Sequence, residues 1–232
     1  MAVEGREVEF QASGRAARGY LVEGGAGAAR PALILVHEWW GLNDHVKDIA
    51  RRFAGEGYVV LAPDLYDGKS TKDPEEAGKL MQGLNRENAL EKLNGAVTYL
   101  QGLDSVDGDR IGVTGFCMGG TFALLLAAHN KSVKASAPFY GDIPTDDELK
   151  NLSAPVLFIG AENDFWITKE KMDRLDEGLK KYGKEGEVKV YEGVGHAFFN
   201  DTRSDAYDKD AAEDAWARVT GFFEEKLKTP AG

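Results

Sequence analysis

The stretch Ile111–Leu126 reads IGVTGFCMGGTFALLL, and this stretch decides the fold. Four residues typical of a buried strand lead directly into Gly115-Phe116-Cys117-Met118-Gly119, and an apolar segment typical of a helix follows. Strand, sharp turn and helix in this order form the context of a nucleophile elbow, in which the central side chain stands above the sheet. Glycines two positions away on either side permit the close backbone approach that such a turn requires. The stretch therefore predicts a nucleophile at Cys117.

The same turn predicts an oxyanion site. The positive end of the helix dipole favours a thiolate and any negative charge that develops beside it. We expect the backbone N–H of Met118 to donate to that oxyanion, and Trp39, in the turn after the first buried strand, to supply a second N–H. The alternative interpretation is a glycine-rich turn around an inert, buried cysteine, which is the commoner fate of a lone cysteine. A dinucleotide site is disfavoured, because no Gly-x-Gly-x-x-Gly follows the first long strand.

The rest of the chain alternates between patterns of strands and helices. Strands are predicted at Val8–Phe10, Ala16–Val22, Ala32–Val36, Tyr58–Ala62, Ile111–Thr114, Val133–Phe139, Val156–Gly160 and Val188–Tyr191. Helices are predicted after Asn43 and near Glu87–Leu100, Gly119–His129, Thr168–Tyr182 and Ser204–Lys228. This alternation predicts an α/β-hydrolase fold with a mostly parallel central sheet and helices on both faces. The two opening strands have no helix between them and predict an antiparallel edge.

The chain is expected to form a single domain over residues 1–232. Within it, Gly24–Gly27 predicts a flexible turn. The most polar stretch, Asp67–Asn85, predicts a surface excursion or a cap over a site, and it is too short for a second domain. In a parallel sheet, ligands bind outside the carboxyl ends of the strands, so the residues that end the strands are the candidates for chemistry.

Composition narrows the function classes. The net charge is −11 and no dense run of Lys and Arg occurs, which argues against nucleic acid and against an anionic membrane surface. No apolar run approaches the ~20 residues of a membrane span, and the amino terminus lacks a signal-peptide core. One cysteine leaves no intrachain disulfide and no multi-cysteine zinc site, and it fits a reducing cytoplasm. We expect a cytoplasmic monomer or small homo-oligomer without metal or cofactor.

Acid and base partners follow Cys117 in the order that an α/β-hydrolase requires, nucleophile, acid and then histidine. Asp164 follows the strand Val156–Gly160, and His196 lies in a glycine-flanked loop after the last strand. In a catalytic triad of this kind, His196 would accept the proton of the Cys117 thiol, and Asp164 would fix the imidazole tautomer. Glu162 is the competing acid. The other three histidines are expected to be structural or solvated: His37 at a strand end, and His45 and His129 on helical segments.

With these motifs in place, the chain resembles the dienelactone hydrolase family of α/β-hydrolases. The resemblance is carried by Val36–Gly41 (VHEWWG), Ala62–Tyr66 (APDLY), Gly115–Gly120 (GFCMGG), Asp164 and His196–Phe198 (HAF). It implies hydrolysis of a small carboxylic ester or lactone by a Cys117–His196–Asp164 triad through a thioester, without a cofactor. It further implies that Glu38 lies beside the nucleophile and helps to deprotonate it when substrate binds. An anionic neighbour suppresses the thiolate in the resting enzyme.

One departure from the family concerns the substrate. Members that act on dienelactones hold the substrate carboxylate with arginines, one of them shortly after the catalytic histidine. Here the fourth residue after His196 is Asn200, Arg203 lies farther along, and Arg86 is available from the polar segment. Two aromatic residues near strand ends, Tyr140 and Phe198, are predicted to line the substrate pocket, with core packing as the alternative.

Two other function classes compete. The first is a binding or redox-sensing module that retains the fold, with Cys117 as an oxidisable thiol. The full set of Cys117, Asp164, His196 and Glu38 argues against it, because binding alone needs no such ordered set. The second is a metal-dependent hydrolase, which is disfavoured because His37-Glu38 is followed by Trp39-Trp40-Gly41 and not by a histidine at the spacing that such a site requires.

Overall fold

The computed structural model describes residues 4–24 and 28–228. Its strands are β1 (Arg6–Ala12), β2 (Arg15–Val22), β3 (Arg30–Val36), β4 (Val59–Pro63), β5 (Val106–Phe116), β6 (Val133–Phe139), β7 (Val156–Asn163) and β8 (Gly186–Gly195). Its helices are α1 (Asp44–Gly55), α2 (Pro74–Gly83), α3 (Arg86–Gln101), α4 (Met118–His129), α5 (Asp146–Asn151), α6 (Lys169–Lys181) and α7 (Lys209–Phe223), which continues into a π-helical turn at Glu224–Lys228. The predicted turn Gly24–Gly27 lies outside the described residues apart from Gly24.

The strands form one eight-stranded sheet in the order β1-β2-β4-β3-β5-β6-β7-β8. Strand β2 pairs antiparallel with both β1 and β4, and the other neighbouring strands pair in parallel. Strand residues 32–36 and 59–63 are buried without interruption, as expected for strands covered on both faces. The prediction of a mostly parallel sheet with an antiparallel amino-terminal edge is confirmed.

The chain reverses its direction of travel across the sheet at β3. It passes from β3 to β4 on one side and later returns to place β5 on the other side, which makes the carboxyl ends of β3 and β5 the topological switch point where sheets of this kind bind ligands. The register pairs Val36 with Gly115. Glu38 and Trp39, which follow β3, are therefore brought beside Cys117, which follows β5.

Helix α4 supports the elbow from within the core. Its residues 122–128 are all buried, which is typical of a helix that is apolar around its whole circumference. It contacts β5, β6, α3 and α5. The residue at its amino terminus is consequently held by packing on several sides rather than by a solvated loop.

Several predicted boundaries were wrong. The last helix begins at Lys209 rather than at Ser204, because the Asp208 side chain caps it by accepting from the N–H of Ala211. Strand β8 extends beyond Tyr191 to Gly195, where pairing with β7 overrides a glycine-rich sequence. The polar segment 67–85 contains α2, capped by Asp73, and α5 was not predicted because it has six residues and buries only Leu149.

Across residues 4–24 and 28–228, no helix is both long enough and apolar enough to cross a membrane.

Candidate active site

Cys117 occupies a strained turn between β5 and α4. Its φ of 56° and ψ of −120° lie where residues other than glycine are rarely found. The turn is fixed by its backbone, since the N–H of Cys117 donates to the carbonyl of Phe139 at 3.1 Å and its own carbonyl accepts from Gly120 at 2.9 Å. A non-glycine residue held in this region marks stored strain, which concentrates at functional sites.

The two elbow glycines are required by close backbone approach. A Cβ added at Gly115 would lie 2.3 Å from the carbonyl oxygen of Gly119. A Cβ added at Gly119 would lie 2.2 Å from the carbonyl oxygen of Val36 and 2.6 Å from that of His37. The start of α4 therefore packs directly on the end of β3, and neither glycine leaves room for a side chain.

We expect Gly119→Ala to destabilise the protein by about 1–3 kcal/mol, because the new methyl group meets backbone atoms that cannot move independently. The check is the thermal unfolding midpoint of the purified variant. Gly78→Ala is the matched control: it lies within α2, its Cβ would meet nothing within 4 Å, and we expect a gain of about 0.4–1 kcal/mol. An unchanged midpoint for Gly119→Ala would contradict the tight approach.

His196 and Asp164 form a direct pair at the carboxyl ends of β8 and β7. Nδ1 of His196 lies 2.6 Å from Oδ2 of Asp164, and the other carboxylate oxygen accepts from the N–H groups of Trp166 at 2.8 Å and Ile167 at 2.9 Å. A carboxylate only accepts hydrogen bonds, so Nδ1 carries the proton and Nε2 can accept one. Glu162, the competing acid, instead accepts from the N–H of Gly193 at 2.8 Å.

The charge on Asp164 is stabilised although its side chain is buried. Burial on its own would raise the pKa, but the hydrogen bond and charge of His196, together with the N–H groups of Ile167 and Trp166, hold the pKa of Asp164 below its ordinary value. The carboxylate is thus in place to stabilise an imidazolium at His196.

Aromatic rings surround His196. The ring of Tyr140 lies 4.9 Å from the imidazole, that of Trp166 lies 5.6 Å away and that of Phe165 lies 5.9 Å away. Phe165 is 86% exposed, unlike the other large apolar residues near the site. Phe198 is fully buried in the core and packs against Tyr140 and Tyr191. Of the two predicted pocket residues, Tyr140 is therefore the one whose ring contacts His196.

The thiol of Cys117 is buried and faces two backbone N–H groups. Burial and, second, the negative charge of Glu38 raise the pKa of Cys117, while hydrogen bonds from the N–H groups of Met118 and Trp39 act in the opposite direction. The two N–H groups expected to bind an oxyanion therefore point at the sulfur. Among the described residues, His196 has no hydrogen bond to that sulfur.

Glu38 lies in the same buried layer. It is 3% exposed, and its Oε2 accepts a hydrogen bond from Nδ2 of Asn200 at 2.8 Å. Burial raises the pKa of Glu38 above its ordinary value, and the hydrogen bond from Asn200 and the charges of His196 and Arg203 offset this rise only in part. Asn200, known from the sequence only as the residue at the expected arginine position, is thus a contact of Glu38.

The two alternative arginines differ in their placement. Arg86 begins α3 and pairs with Glu148. Arg203 lies with its guanidinium 5.8 Å from the ring centre of Trp40 and pairs with Asp205. The charge of Arg203 interacts with those of Glu38 and Cys117. Of the two arginines, Arg203 is therefore the one near the candidate active site.

Two further histidines are buried. Nε2 of His37 accepts from the N–H of Leu65 at 3.1 Å and Nδ1 donates to the carbonyl of Glu38 at 2.6 Å, which joins the ends of β3 and β4 and supports a structural role. The prediction of a solvated His45 was wrong: it is 8% exposed, and its Nδ1 lies 3.2 Å from Oδ1 of Asp201, a residue far away along the chain. His129 is exposed.

In the part of the chain that the structure describes, no three His, Cys, Asp or Glu side chains converge on a position where they could hold a metal ion.

The chain is similar in sequence and fold to known proteins. The model of the dienelactone hydrolase family matches residues 18–227. "Protein usf" of Aquifex pyrophilus is 39% identical, over 96% of this chain and 99% of that protein. A "Putative carboxymethylenebutenolidase" of Aquifex aeolicus is 36% identical, over 97% of this chain and all of that protein. A crystal structure described as a "Putative Dienelactone Hydrolase" from Klebsiella pneumoniae superposes with a TM-score of 0.90 at 28% identity, covering 97% of this chain and all of that one. The resemblance inferred from the motifs is confirmed, and the chain belongs to the dienelactone hydrolase family.

Proposed function

We propose that the protein hydrolyses small carboxylic esters or lactones, with Cys117 as nucleophile, His196 as base and Asp164 as the group that orients the base. The observation that carries the proposal is the placement of Cys117 on a strained elbow together with a His196–Asp164 pair at 2.6 Å on the same edge of the sheet. Membership of the family and the name of the Aquifex aeolicus relative, a carboxymethylenebutenolidase, support the substrate class.

Acylation begins when the substrate carbonyl oxygen takes the position between the N–H groups of Met118 and Trp39 that now face the sulfur. The displaced sulfur turns toward His196 and passes its proton to Nε2. The thiolate attacks the carbonyl carbon, and the two N–H groups stabilise the resulting oxyanion. Collapse of the tetrahedral intermediate breaks the ester C–O bond, His196 returns the proton to the leaving alkoxide, and a thioester remains on Cys117.

Deacylation uses the same groups in reverse. His196 removes a proton from water, and the hydroxide attacks the thioester carbonyl within the same pair of N–H donors. The C–S bond breaks, the sulfur leaves as thiolate and recovers a proton from the imidazolium, and the carboxylic acid departs. With a lactone, the alcohol and the acid are parts of one ring-opened product.

We propose that Glu38 keeps Cys117 in its unreactive, protonated thiol form between turnovers. A free cysteine has a pKa of about 8.5, so a few per cent is thiolate near neutrality. Burial and the charge of Glu38 raise the pKa of Cys117 above that value, so less thiolate is present. A resting thiol of this kind resists oxidation, and the binding of substrate beside Glu38 is the event that would release it.

The test is a panel of substrates on the purified wild-type chain: a small aryl acetate, and lactones with and without a carboxylate. We expect turnover of the aryl ester and, in rapidly quenched samples, a single acetyl group on Cys117 by peptide mass spectrometry. A preference for lactones that bear a carboxylate would assign Arg203 to substrate binding, since this arginine lies at the site. Oxidation of Cys117 by peroxide without turnover of any ester or lactone would favour the redox-sensing alternative and refute the proposal.

A further inference from the structure

Asn200 has both ends of its side-chain amide engaged. It is 2% exposed, and its Oδ1 accepts from the hydroxyl of Thr202 at 2.6 Å and from the N–H of Thr202 at 3.0 Å. With the oxygen committed to two donors, the NH₂ group must point the other way, toward Glu38, where it donates at 2.8 Å. Thr202 thereby fixes which end of the amide Glu38 meets.

The position of Asn200 is set by the same turn that carries His196. The N–H of Asn200 donates to the carbonyl of Ala197 at 2.9 Å, and its carbonyl accepts from the N–H of Arg203 at 3.0 Å. Ala197 itself has a φ of 66°, so the chain bends sharply directly after the histidine. The catalytic base and the donor to Glu38 are therefore parts of one rigid turn.

The charge of Glu38 depends on few partners. Burial disfavours its ionised form, and the groups that favour that form are Asn200 by its hydrogen bond and His196 and Arg203 by their charges. The charge of Glu38 in turn raises the pKa of Cys117 and of Tyr140. The described hydrogen bond to the Glu38 carboxylate comes from Asn200, so this amide is the contact best placed to keep Glu38 ionised.

We infer that Asn200, oriented by Thr202, is a positioning residue that favours the carboxylate form of Glu38 beside Cys117 and so sets the reactivity of the resting thiol. The inference rests on the proposed function, because it concerns how the nucleophile of that reaction is restrained. The hydrogen bond comes from a neutral amide, and within residues 4–24 and 28–228 no ion pair joins a cation to the Glu38 carboxylate.

The test is the rate at which iodoacetamide alkylates Cys117, measured from about pH 6 to pH 10 on four proteins: wild type, Asn200→Leu, Glu38→Gln and the double variant. Leucine removes the donor at similar volume, so Glu38 is expected to take up a proton and the pKa of Cys117 to fall. A fall of one pKa unit speeds alkylation near neutral pH about tenfold. Glu38→Gln is expected to speed it at least as much, and the double variant is expected to match Glu38→Gln.

Two results overturn the inference. One is an alkylation profile for Asn200→Leu equal to that of the wild type. The other is an acceleration by Asn200→Leu that persists in the Glu38→Gln background, which would mean that the substitution loosens the loop and does not act through Glu38. Should Asn200→Leu fail to fold, Thr202→Val serves instead: it leaves Asn200 in place, removes the hydroxyl at 2.6 Å and is expected to speed alkylation in the same direction. No acceleration by Thr202→Val would then overturn the inference.

Alkylation separates this inference from the proposed function, because it reports on the thiol and requires no ester turnover. Ester hydrolysis is measured on the same four preparations. Turnover with no dependence of alkylation on Asn200 refutes the inference alone. The expected alkylation pattern without turnover of any ester or lactone refutes the proposed function alone.

Discussion

Replacing Cys117 with alanine is expected to lower kcat for ester hydrolysis by at least about 10⁴-fold, because in the proposed mechanism it removes the nucleophile and leaves little more than the contribution of the oxyanion donors and substrate binding. The fold is expected to survive. Alanine is smaller than cysteine, and the turn at 117 is held by backbone hydrogen bonds to Phe139 and Gly120 that do not involve the sulfur. The measurement is steady-state hydrolysis of an aryl acetate together with thermal unfolding, so that a loss of activity is not mistaken for a loss of structure.

Cys117→Ser is the informative companion. A serine hydroxyl has a far higher pKa than a thiol, and the charge of Glu38 opposes its ionisation further. We expect residual activity at best, above that of Cys117→Ala and well below that of the wild type. Wild-type rates in the alanine variant would place the nucleophile elsewhere and remove the basis of the proposed mechanism.

The elbow and the sheet could be predicted because their signals are local. Gly115 and Gly119 are demanded by backbone contacts within a few residues of Cys117 or at the end of β3, and the apolar runs of the parallel strands show burial directly. The order of Cys117, Asp164 and His196 along the chain is then enough to predict that the three residues lie at the same edge of the sheet, because that is where parallel strands place them. The register that pairs Asn163 with Gly195 completes the His196–Asp164 contact.

The contacts of Asn200 and of His45 could not be predicted. Glu38 and Asn200 are 162 residues apart, and the direction of the Asn200 amide depends on Thr202, so no spacing in the sequence encodes that hydrogen bond. His45 has polar neighbours on its own helix, and its contact with Asp201 joins segments far apart in the chain. The short helices α2 and α5 carry almost no buried apolar residues, and periodicity is their only signal in the sequence.

The second large effect is expected from Asp164→Asn, which should lower kcat by about 10⁴-fold with little change in the fold. The carboxylate accepts from Nδ1 of His196, which leaves Nε2 free to take the thiol proton. An asparagine can turn its NH₂ group toward Nδ1, and the imidazole then carries its proton on Nε2, where it cannot act as a base. The imidazolium that forms during acylation also loses its counter-charge.

The matched control is Glu162→Gln, since Glu162 lies two residues away, is exposed and contacts Gly193 rather than His196. We expect near wild-type kinetics from it, and equal losses from the two variants would contradict the assignment of Asp164. A stability measurement provides an independent check. Because the pKa of Asp164 is lowered in the folded protein, its charge stabilises the fold above its ordinary pKa of about 3.9, and that contribution is lost as pH falls through the lowered value. The difference in unfolding free energy between wild type and Asp164→Asn should therefore be largest near neutral pH and shrink in acid, whereas a constant difference across that range would mean that the Asp164 charge does not stabilise this pair.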